Sequence, residues 1–227
     1  MENVKIILLD IDNTLIDFRR CSREALSNAC SDLGIEYGQT FFDTFHRVNN
    51  KIWKEVEDGK AVRQDVYDRR FREIFEILGI DRDPAECEKR FRYHLRFAAD
   101  HVPGAERLMK YLYGKYKLYV ASNSTLGEQE SRLRRAGFFD MLNGVFISSD
   151  LGASKPHPEF FAECFKRLGD PPKDEVVLIG DSPSADVRGG IGFGIRVIWF
   201  DRGVEKLDPE YIPTCTVHSL EEIEQIL

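Results

Sequence analysis

Residues 4–14 read Val4-Lys5-Ile6-Ile7-Leu8-Leu9-Asp10-Ile11-Asp12-Asn13-Thr14, and this stretch decides the fold of the chain. Its first half is a short, nearly continuous apolar run rich in residues that favour β-strands. That pattern is typical of a strand covered on both faces. Two acidic residues follow where such a strand would end. We therefore predict a buried strand at Val4–Leu9 with polar chemistry at its carboxyl end.

Beyond residue 103 the pattern alternates between helix-length and strand-length segments. Helices are predicted at Ala105–Tyr113, Thr125–Ala136 and Pro158–Leu168, and strands at Lys117–Ala121, Gly144–Ser148, Val176–Ile179, Ile195–Phe200 and Thr214–Val217. Capping signals mark three helix starts: Thr125 with Glu128, Ser182 before Pro183, and Ser219 with Glu222. Strands separated by helices indicate an α/β fold with a doubly wound parallel sheet.

From about Phe18 to Asp100 the strand signal disappears. Four apolar stripes recur at helical spacing; the first follows Ser22, a candidate N-cap, and ends at Gly34. Four amphipathic helices joined by short breaks can bury their stripes against one another as a small bundle. We therefore predict a core made of residues 1–16 and 101–227, with a helical domain of residues 17–100 inserted after the first strand.

The composition limits the classes of function. The 227 residues include 42% hydrophobic and 31% charged residues, as in an ordinary globular protein, and the net charge of -7 disfavours a nucleic-acid polymer as partner. No apolar run approaches the roughly 20 residues of a membrane span, and no signal peptide is recognisable. The five scattered cysteines favour reduced thiols in the cytoplasm over disulfides or a zinc site. The oligomeric state has no signal in the sequence.

Asp10 and Asp12 are the first of four polar groups that follow predicted strands. In an extended segment, residues two apart face the same side, so the two carboxylates are expected to converge on one point. Close carboxylates repel each other and need a cation or a shared proton. Taken alone, two acids after a strand are also typical of a solvated strand exit.

Three further strand ends supply complementary groups. Ser122 and Asn123 close a strand before a helix start, a combination that suits phosphate. Lys155 can neutralise an anion, and Asp181 with Asp186 offers the carboxylates that magnesium prefers. Each group alone is equally explained as a helix cap, a surface lysine or an ordinary turn. Because ligands of parallel sheets lie beyond the carboxyl ends of the strands, the conjunction of all four predicts a site for an anion and a metal.

This arrangement resembles the haloacid dehalogenase-like (HAD) hydrolase superfamily over essentially the whole chain. The four motifs of that superfamily correspond to Asp10 through Thr14, Ser122, Lys155, and Gly180 through Asp186. The helical insert is similar to its type-one cap. The resemblance implies a magnesium-dependent phosphatase that hydrolyses a small phosphorylated metabolite through an aspartyl-phosphate intermediate.

The resemblance also implies a role for each matching residue. Asp10 would be the nucleophile, and Asp12 would donate and later accept a proton. Magnesium would be held by Asp10, the Asp12 backbone carbonyl and Asp181. The phosphoryl group would be bound by Thr14, Ser122, Asn123 and Lys155, with Lys155 also stabilising the nucleophile and Asp186 orienting Lys155 or a water molecule.

Other chemistries of the superfamily are less compatible with this sequence. Asp12 disfavours dehalogenation, because a departing halide needs no proton. Phosphonatases of the superfamily use a cap lysine, but Lys51, Lys54 and Lys60 are better explained as exposed helix residues. Thr14 disfavours a mutase. A non-catalytic binding module is the alternative from a different class, and it predicts no hydrolysis of a generic aryl phosphate.

Finer resemblance points to the pyrimidine 5′-nucleotidase branch. It rests on Glu57-Asp58-Gly59-Lys60, Arg69-Arg70-Phe71, Leu78-Gly79-Ile80 and the tail from Pro213 to Leu220. The N-acylneuraminate-9-phosphatase branch shares Asp12 through Asp17, and sugar phosphates and phosphoglycolate are further alternatives. A nucleotide base would stack on an aromatic face in the helical domain. Phe18, Phe42, Trp53 and Tyr67 are candidates, although each is also typical of a bundle core.

Overall fold

The computed structural model describes all residues from Met1 to Leu227. The chain divides into two compact units, one formed by Met1–Phe18 with Ala99–Leu227 and the other by Arg19–Ala98. All strands belong to the first unit, and the second unit is helical. The role of the helical unit as a cap stays a prediction. None of the helices combines the length and the apolarity that crossing a membrane requires.

All six predicted strands are present: β1 (Ile6–Leu9), β2 (Lys117–Ser122), β3 (Gly144–Ile147), β4 (Val176–Gly180), β5 (Arg196–Phe200) and β6 (Cys215–Val217). They form one parallel sheet in the order β3-β2-β1-β4-β5-β6. The chain runs from β1 to β2 and β3 on one side, and then crosses back to place β4 on the other side of β1. The carboxyl ends of β1 and β4 therefore border the topological switch point, where such sheets bind ligands.

The strand β1 is central because it is apolar on both faces. Its four residues are buried, and Leu9 lies in register with Val120 of β2 and with Ile179 of β4. Alternate residues point to opposite faces, so Ile6 and Leu8 enter one core layer and Ile7 and Leu9 face the other. This register brings the residues that follow β1 and β4 to the same edge of the sheet.

The helical unit contains the four helices predicted for it: α1 (Phe18–Asp32), α2 (Gln39–Glu57), α3 (Arg63–Leu78) and α4 (Pro84–Leu95). The rings of Phe45, Phe71 and Phe91 pack in its interior, with centroids 5.0 to 5.9 Å apart. Arg70 is buried beside them and pairs with Glu88 at 2.6 Å. The Arg69-Arg70-Phe71 segment is therefore part of the packing and ion pairing of this unit.

The start of α1 differs from the prediction. The helix begins at Phe18, so Ser22 is not its N-cap but lies buried inside it. The Ser22 hydroxyl donates to the Arg19 carbonyl at 3.1 Å and contacts Nε2 of His46, also at 3.1 Å. Two arginines follow Phe18, so the first turn of α1 lacks the apolar periodicity that would have predicted it as helix.

Two of the candidate aromatic residues are already covered by arginines. Phe42 is fully buried, and the guanidinium of Arg23 lies 3.8 Å from its ring centroid. Arg92 lies 4.3 Å from the ring centroid of Tyr67, which is half-buried. Phe42 is thus a core residue of the helical unit, which was the alternative to its role as a stacking face.

The helices of the strand-containing unit are α5 (Ala105–Leu112), α6 (Leu126–Arg135), α7 (Ser148–Leu151), α8 (Pro158–Leu168) and α9 (Gly189–Phe193), with a π-helical turn at Pro183–Arg188 and 3-10 turns at Phe139–Met141, Lys173–Glu175 and Leu220–Gln225. The caps at Ser182 and Ser219 are confirmed, although the segments they start are a π-helical turn and a 3-10 turn. Thr125 lies at the predicted N-cap of α6, but its side chain makes no capping hydrogen bond. The short helix α7 was not predicted, because one turn after a strand carries no periodicity.

Candidate active site

Asp10 lies at the carboxyl end of β1, where its backbone N–H still donates to Ile179 of β4 at 2.9 Å. Its carboxylate is buried and accepts a hydrogen bond from Nζ of Lys155 at 2.8 Å. Burial raises the pKa of Asp10 to about 7, even though the Lys155 ammonium acts in the opposite direction. The predicted nucleophile is thus a buried acid held against a single ammonium group.

Lys155 is fully buried and bridges two acids. Its Nζ donates to Asp10 at 2.8 Å and to Asp186 at 2.7 Å. Burial alone would lower the pKa of Lys155, but the two carboxylates outweigh it and raise the pKa above its usual value. The side chain of Asn123 fixes the Lys155 backbone, since its amide nitrogen donates to the Lys155 carbonyl and its oxygen accepts from the Lys155 N–H, both at 2.8 Å. The Lys155-Pro156 peptide bond is cis.

Asp186 lies on the π-helical turn and reaches back to the end of β4. One of its oxygens accepts from Lys155, and the other accepts from the backbone N–H of Ser182 at 3.0 Å. The first turn is held in place by Ser182, whose hydroxyl accepts from the Ala185 N–H at 3.0 Å. Asp186 therefore contacts Lys155 directly, as one of the two predicted roles required.

Asp181 follows β4 and faces Asp10 across the switch point. Its Oδ1 accepts from the hydroxyl of Thr14 at 3.5 Å, and its backbone carbonyl accepts from the indole N–H of Trp199 at 2.9 Å. Arg202 lies 3.6 Å from its Oδ2. Burial raises the pKa of Asp181 well above its usual value, and the neighbouring acid Asp10 raises it further.

Three carboxylates form a group that fits a divalent cation. Asp10, Asp181 and Asp186 each offer an oxygen, and these atoms lie within 4.8 Å of one another. Oxygen donors of this kind are the ligands magnesium prefers. Burial is the largest cause of the raised pKa values of Asp10 and Asp181, with neighbouring acids adding to it, and a bound cation would stabilise both ionised carboxylates. The residues present therefore fit magnesium.

The carboxylate of Asp12 is not part of that group. Its negative charge adds to burial in raising the pKa of Asp10, and the convergence of the two carboxylates on one point stays a prediction. The chain turns just after Asp12, with Asn13 at a positive φ of 68°. Asp12 accepts from Nη1 of Arg132 at 2.6 Å and from Nε2 of Gln129 at 2.7 Å. The same Gln129 nitrogen donates to the hydroxyl of Ser122 at 3.2 Å.

Comparison with known proteins identifies the family. The sequence model of the haloacid dehalogenase-like hydrolase family matches residues 4–194 of this chain. The chain belongs to this family of HAD-like hydrolases. A putative HAD-hydrolase of Bacillus subtilis, YfnB, is 30% identical to this chain. The crystal structure of YfnB bound to magnesium, which reveals interdomain movement in that protein, superposes with a TM-score of 0.94 over 100% of this chain and 99% of that one.

The curated relatives with a named activity include two pyrimidine 5′-nucleotidases. Pyrimidine 5′-nucleotidase PynA of Streptococcus pneumoniae is 30% identical over 96% of this chain and 93% of its own length. Pyrimidine 5′-nucleotidase YjjG of Escherichia coli is 27% identical over 97% of this chain and 96% of its own length. The resemblance to the HAD superfamily and to its pyrimidine 5′-nucleotidase branch is therefore confirmed.

Sequence reasoning missed Gln129 and Arg132 of this HAD-like core. Both lie on α6 and are fully buried, beside Leu133. Their position in the sequence could have indicated that they are buried, because both residues fall on the inward stripe of an amphipathic helix, where apolar side chains are expected. Two residues that contact Asp181 were also not singled out: Trp199, which lies in β5, and Arg202, which follows that strand.

Proposed function

We propose that the chain is a magnesium-dependent phosphatase that hydrolyses a small phosphate monoester, with Asp10 as the nucleophile. The observation that carries the proposal is the position of Asp10, which is hydrogen-bonded to Lys155 and grouped with Asp181 and Asp186 at the switch point. A carboxylate and a phosphate ester repel each other, so the attack requires positive charge around the reacting atoms. The Lys155 ammonium and a cation held by the acids would supply that charge.

The reaction divides into two displacements. An oxygen of Asp10 attacks phosphorus while the ester oxygen departs and takes a proton from Asp12, which leaves an aspartyl-phosphate and an alcohol. A water molecule then gives a proton to Asp12 and attacks phosphorus, the bond to Asp10 breaks, and inorganic phosphate leaves. The net change is hydrolysis of one phosphate ester bond, and the enzyme returns to its starting state.

Lys155 and Ser122 supply donors around the phosphoryl group. Thr14 stays a predicted phosphate contact, and its hydroxyl donates to Asp181. Lys155 balances charge on Asp10 and on the transferring group. Ser122 is buried at the end of β2 and can donate its hydroxyl hydrogen to a phosphoryl oxygen. We assign Asn123 the task of holding Lys155, since both polar atoms of its amide are used on the Lys155 backbone.

Magnesium would be held by Asp10 and Asp181, with the Asp12 backbone carbonyl as the predicted further ligand, and would neutralise negative charge on the transferring phosphoryl group. Asp186 lies close enough to join these carboxylates, but its two oxygens already accept from Lys155 and Ser182. The magnesium bound in the YfnB crystal structure supports this choice of metal.

For the substrate we propose a pyrimidine nucleoside 5′-monophosphate. The support is the named activity of PynA and YjjG, which cover nearly the whole chain. Sugar phosphates, N-acylneuraminate 9-phosphate and phosphoglycolate are the competing esters. A panel of UMP, dTMP and these esters at equal concentration tests the proposal, and the pyrimidine nucleotides should give the highest kcat/KM.

The phosphatase activity is tested with Asp10→Asn and 4-nitrophenyl phosphate. We expect the wild type to release phosphate with added magnesium and to stop when EDTA is added, and Asp10→Asn to be inactive but folded by circular dichroism. Asp140→Asn, which alters an exposed acid of the same unit, is the matched control and should keep full activity. Turnover by Asp10→Asn at the wild-type rate would exclude Asp10 as the nucleophile. A wild type that hydrolyses no phosphate ester would favour the binding module.

A further inference from the structure

Helix α6 presents two buried polar side chains to the segment that follows β1. Gln129 and Arg132 are three residues apart and therefore lie on the same face of the helix. Arg132 donates to one oxygen of Asp12 at 2.6 Å, and Gln129 donates to the other at 2.7 Å. Both carboxylate oxygens of Asp12 are thus held from one helix.

The orientation of the Gln129 amide is determined by its partners. Its oxygen accepts from Nη1 of Arg132 at 3.1 Å, while its nitrogen donates to Asp12 and to the hydroxyl of Ser122. The reversed amide would place its oxygen against a carboxylate and its N–H groups against a guanidinium. Because Ser122 accepts from Gln129, its own hydroxyl hydrogen is left to donate to a different acceptor.

The core gains little stability from a charge at position 132. Arg132 is fully buried, and an ion pair at such a position is rarely more stabilising than an apolar side chain of similar volume. The carboxylate it meets is the acid to which the proposed reaction assigns proton transfer. That carboxylate is held on one side only, because 31% of the Asp12 side chain remains exposed.

We propose that Arg132 and Gln129 are positioning residues, which hold the Asp12 carboxylate at one place and direct the Ser122 hydroxyl towards the phosphoryl group. This inference rests on the proposed phosphatase function. Each carboxylate oxygen has two acceptor sites, so the contacts with Arg132 and Gln129 leave one on each oxygen for the transferred proton. Neither positioning residue touches the substrate.

A role in positioning Asp12 has a kinetic signature that a merely structural role lacks. Protonation of the departing oxygen matters most for poor leaving groups and least for good ones. The value of kcat/KM reports the steps up to departure of the leaving group. A misplaced Asp12 should therefore lower kcat/KM selectively for esters with poor leaving groups.

The test is the kcat/KM of the full chain with magnesium for 4-nitrophenyl, 4-chlorophenyl, phenyl and 4-methoxyphenyl phosphate, which are similar in size. For Arg132→Met we expect a loss of less than about threefold on 4-nitrophenyl phosphate and of about 10- to 100-fold on 4-methoxyphenyl phosphate. Arg132→Lys should recover part of the loss, because it restores a donor and a charge. Arg134→Met is the matched control, since Arg134 is exposed on the same helix and pairs with Glu130.

Gln129→Met keeps the test decisive if Arg132→Met does not fold, because it replaces a neutral side chain by one of similar volume. It should also lose more kcat/KM on the poor leaving groups. In addition, it should raise KM for every ester, because the Ser122 hydroxyl loses its direction. An equal loss across the series in the folded variants, with an active wild type, would overturn the inference and leave the phosphatase proposal intact. A wild type inactive on all four esters would overturn both.

Discussion

The carboxylate of Asp186 packs directly against the backbone of Gly180 at the end of β4, where a β-carbon on residue 180 would lie only 2.2 Å from Oδ2 of Asp186. The backbone of Gly180 is not at positive φ, and its role is therefore close approach and not turn geometry. The approach matters because Asp186 holds Lys155 at 2.7 Å, and Lys155 in turn holds Asp10. The absence of a side chain at Gly180 therefore allows the positions of Asp186, Lys155 and Asp10.

Gly180→Ala is expected to displace Asp186 and with it Lys155. We expect kcat for 4-nitrophenyl phosphate to fall at least about 10-fold and the free energy of unfolding to fall by about 1–3 kcal/mol, as for other overpacked sites. Gly192→Ala is the control, because a β-carbon there meets no atom within 4 Å and its φ is not positive. The control should keep its activity and gain up to about 1 kcal/mol. Full activity in Gly180→Ala would show that Asp186 can move without consequence.

Lys155→Met removes the only cation that contacts both Asp10 and Asp186. The pKa of Asp10 is already raised to about 7 by burial, and removal of the opposing ammonium should raise it further. We expect a loss of kcat of about 100-fold or more and a loss of stability of about 3–5 kcal/mol, because buried carboxylates lose their partner. Steady-state kinetics and urea unfolding measure the two effects.

Asp186→Asn separates charge from geometry at the same position. The asparagine can still accept from Lys155, and the ammonium that opposes the effect of burial on the pKa of Asp10 stays in place. The loss of kcat in Asp186→Asn should therefore be smaller than in Lys155→Met. The reverse ranking would contradict the assignment of Lys155 as the group that balances charge on the nucleophile.

The strands β1 and β4 were predictable because a strand buried on both faces is apolar throughout and stands out as a continuous run. The polar residues at the strand ends, such as Asp10, Ser122 and Asp181, were predictable as a group because parallel strands end at one edge of the sheet. Asp186 was found through its motif spacing. What the sequence did not reveal was the space at Gly180, which exists only once β4 and the π-helical turn pack together.

Gln129 and Arg132 were missed because a sequence presents them as ordinary polar helix residues. Arg132 is followed closely by Arg134 and Arg135, and only its place on the inward stripe with Leu133 distinguishes the buried arginine from these exposed neighbours. The two donors that hold the Asp12 carboxylate were not predicted for a related reason, because they lie far from Asp12 in the sequence and meet it only in the folded chain.

The cysteines give a prediction that tests the proposed reduced state. Cys21, Cys30, Cys87 and Cys164 are buried, Cys215 is partly exposed, and none of the five forms a disulfide. Burial raises the pKa of Cys30 and of Cys164 to about 12, which disfavours the reactive thiolate. We expect a thiol reagent such as DTNB to modify at most one thiol of the native protein and five in urea. Rapid modification of several native thiols would show that the core opens readily.

His46 makes the stability of the helical unit dependent on pH. Burial lowers its pKa from 6.5 to about 4, with Arg19, Arg23 and Arg70 acting in the same direction and Asp43 opposing them. Between pH 6.5 and 4 the unfolded chain binds a proton that the folded chain excludes. The stabilisation is therefore complete above pH 6.5 and is lost as the pH falls towards 4, by up to about 3 kcal/mol.

His46→Gln isolates this contribution from the titration of the carboxylates. The free energy of unfolding should fall less in the variant than in the wild type between pH 7 and pH 4.5, because the variant has no imidazole to protonate at this position. Calorimetric unfolding at both pH values measures the difference. His218→Gln, which replaces an exposed ring of the strand-containing unit, should follow the wild type. Equal pH dependence of the wild type and His46→Gln would mean that the folded protein accommodates the charged ring, and would exclude the lowered pKa.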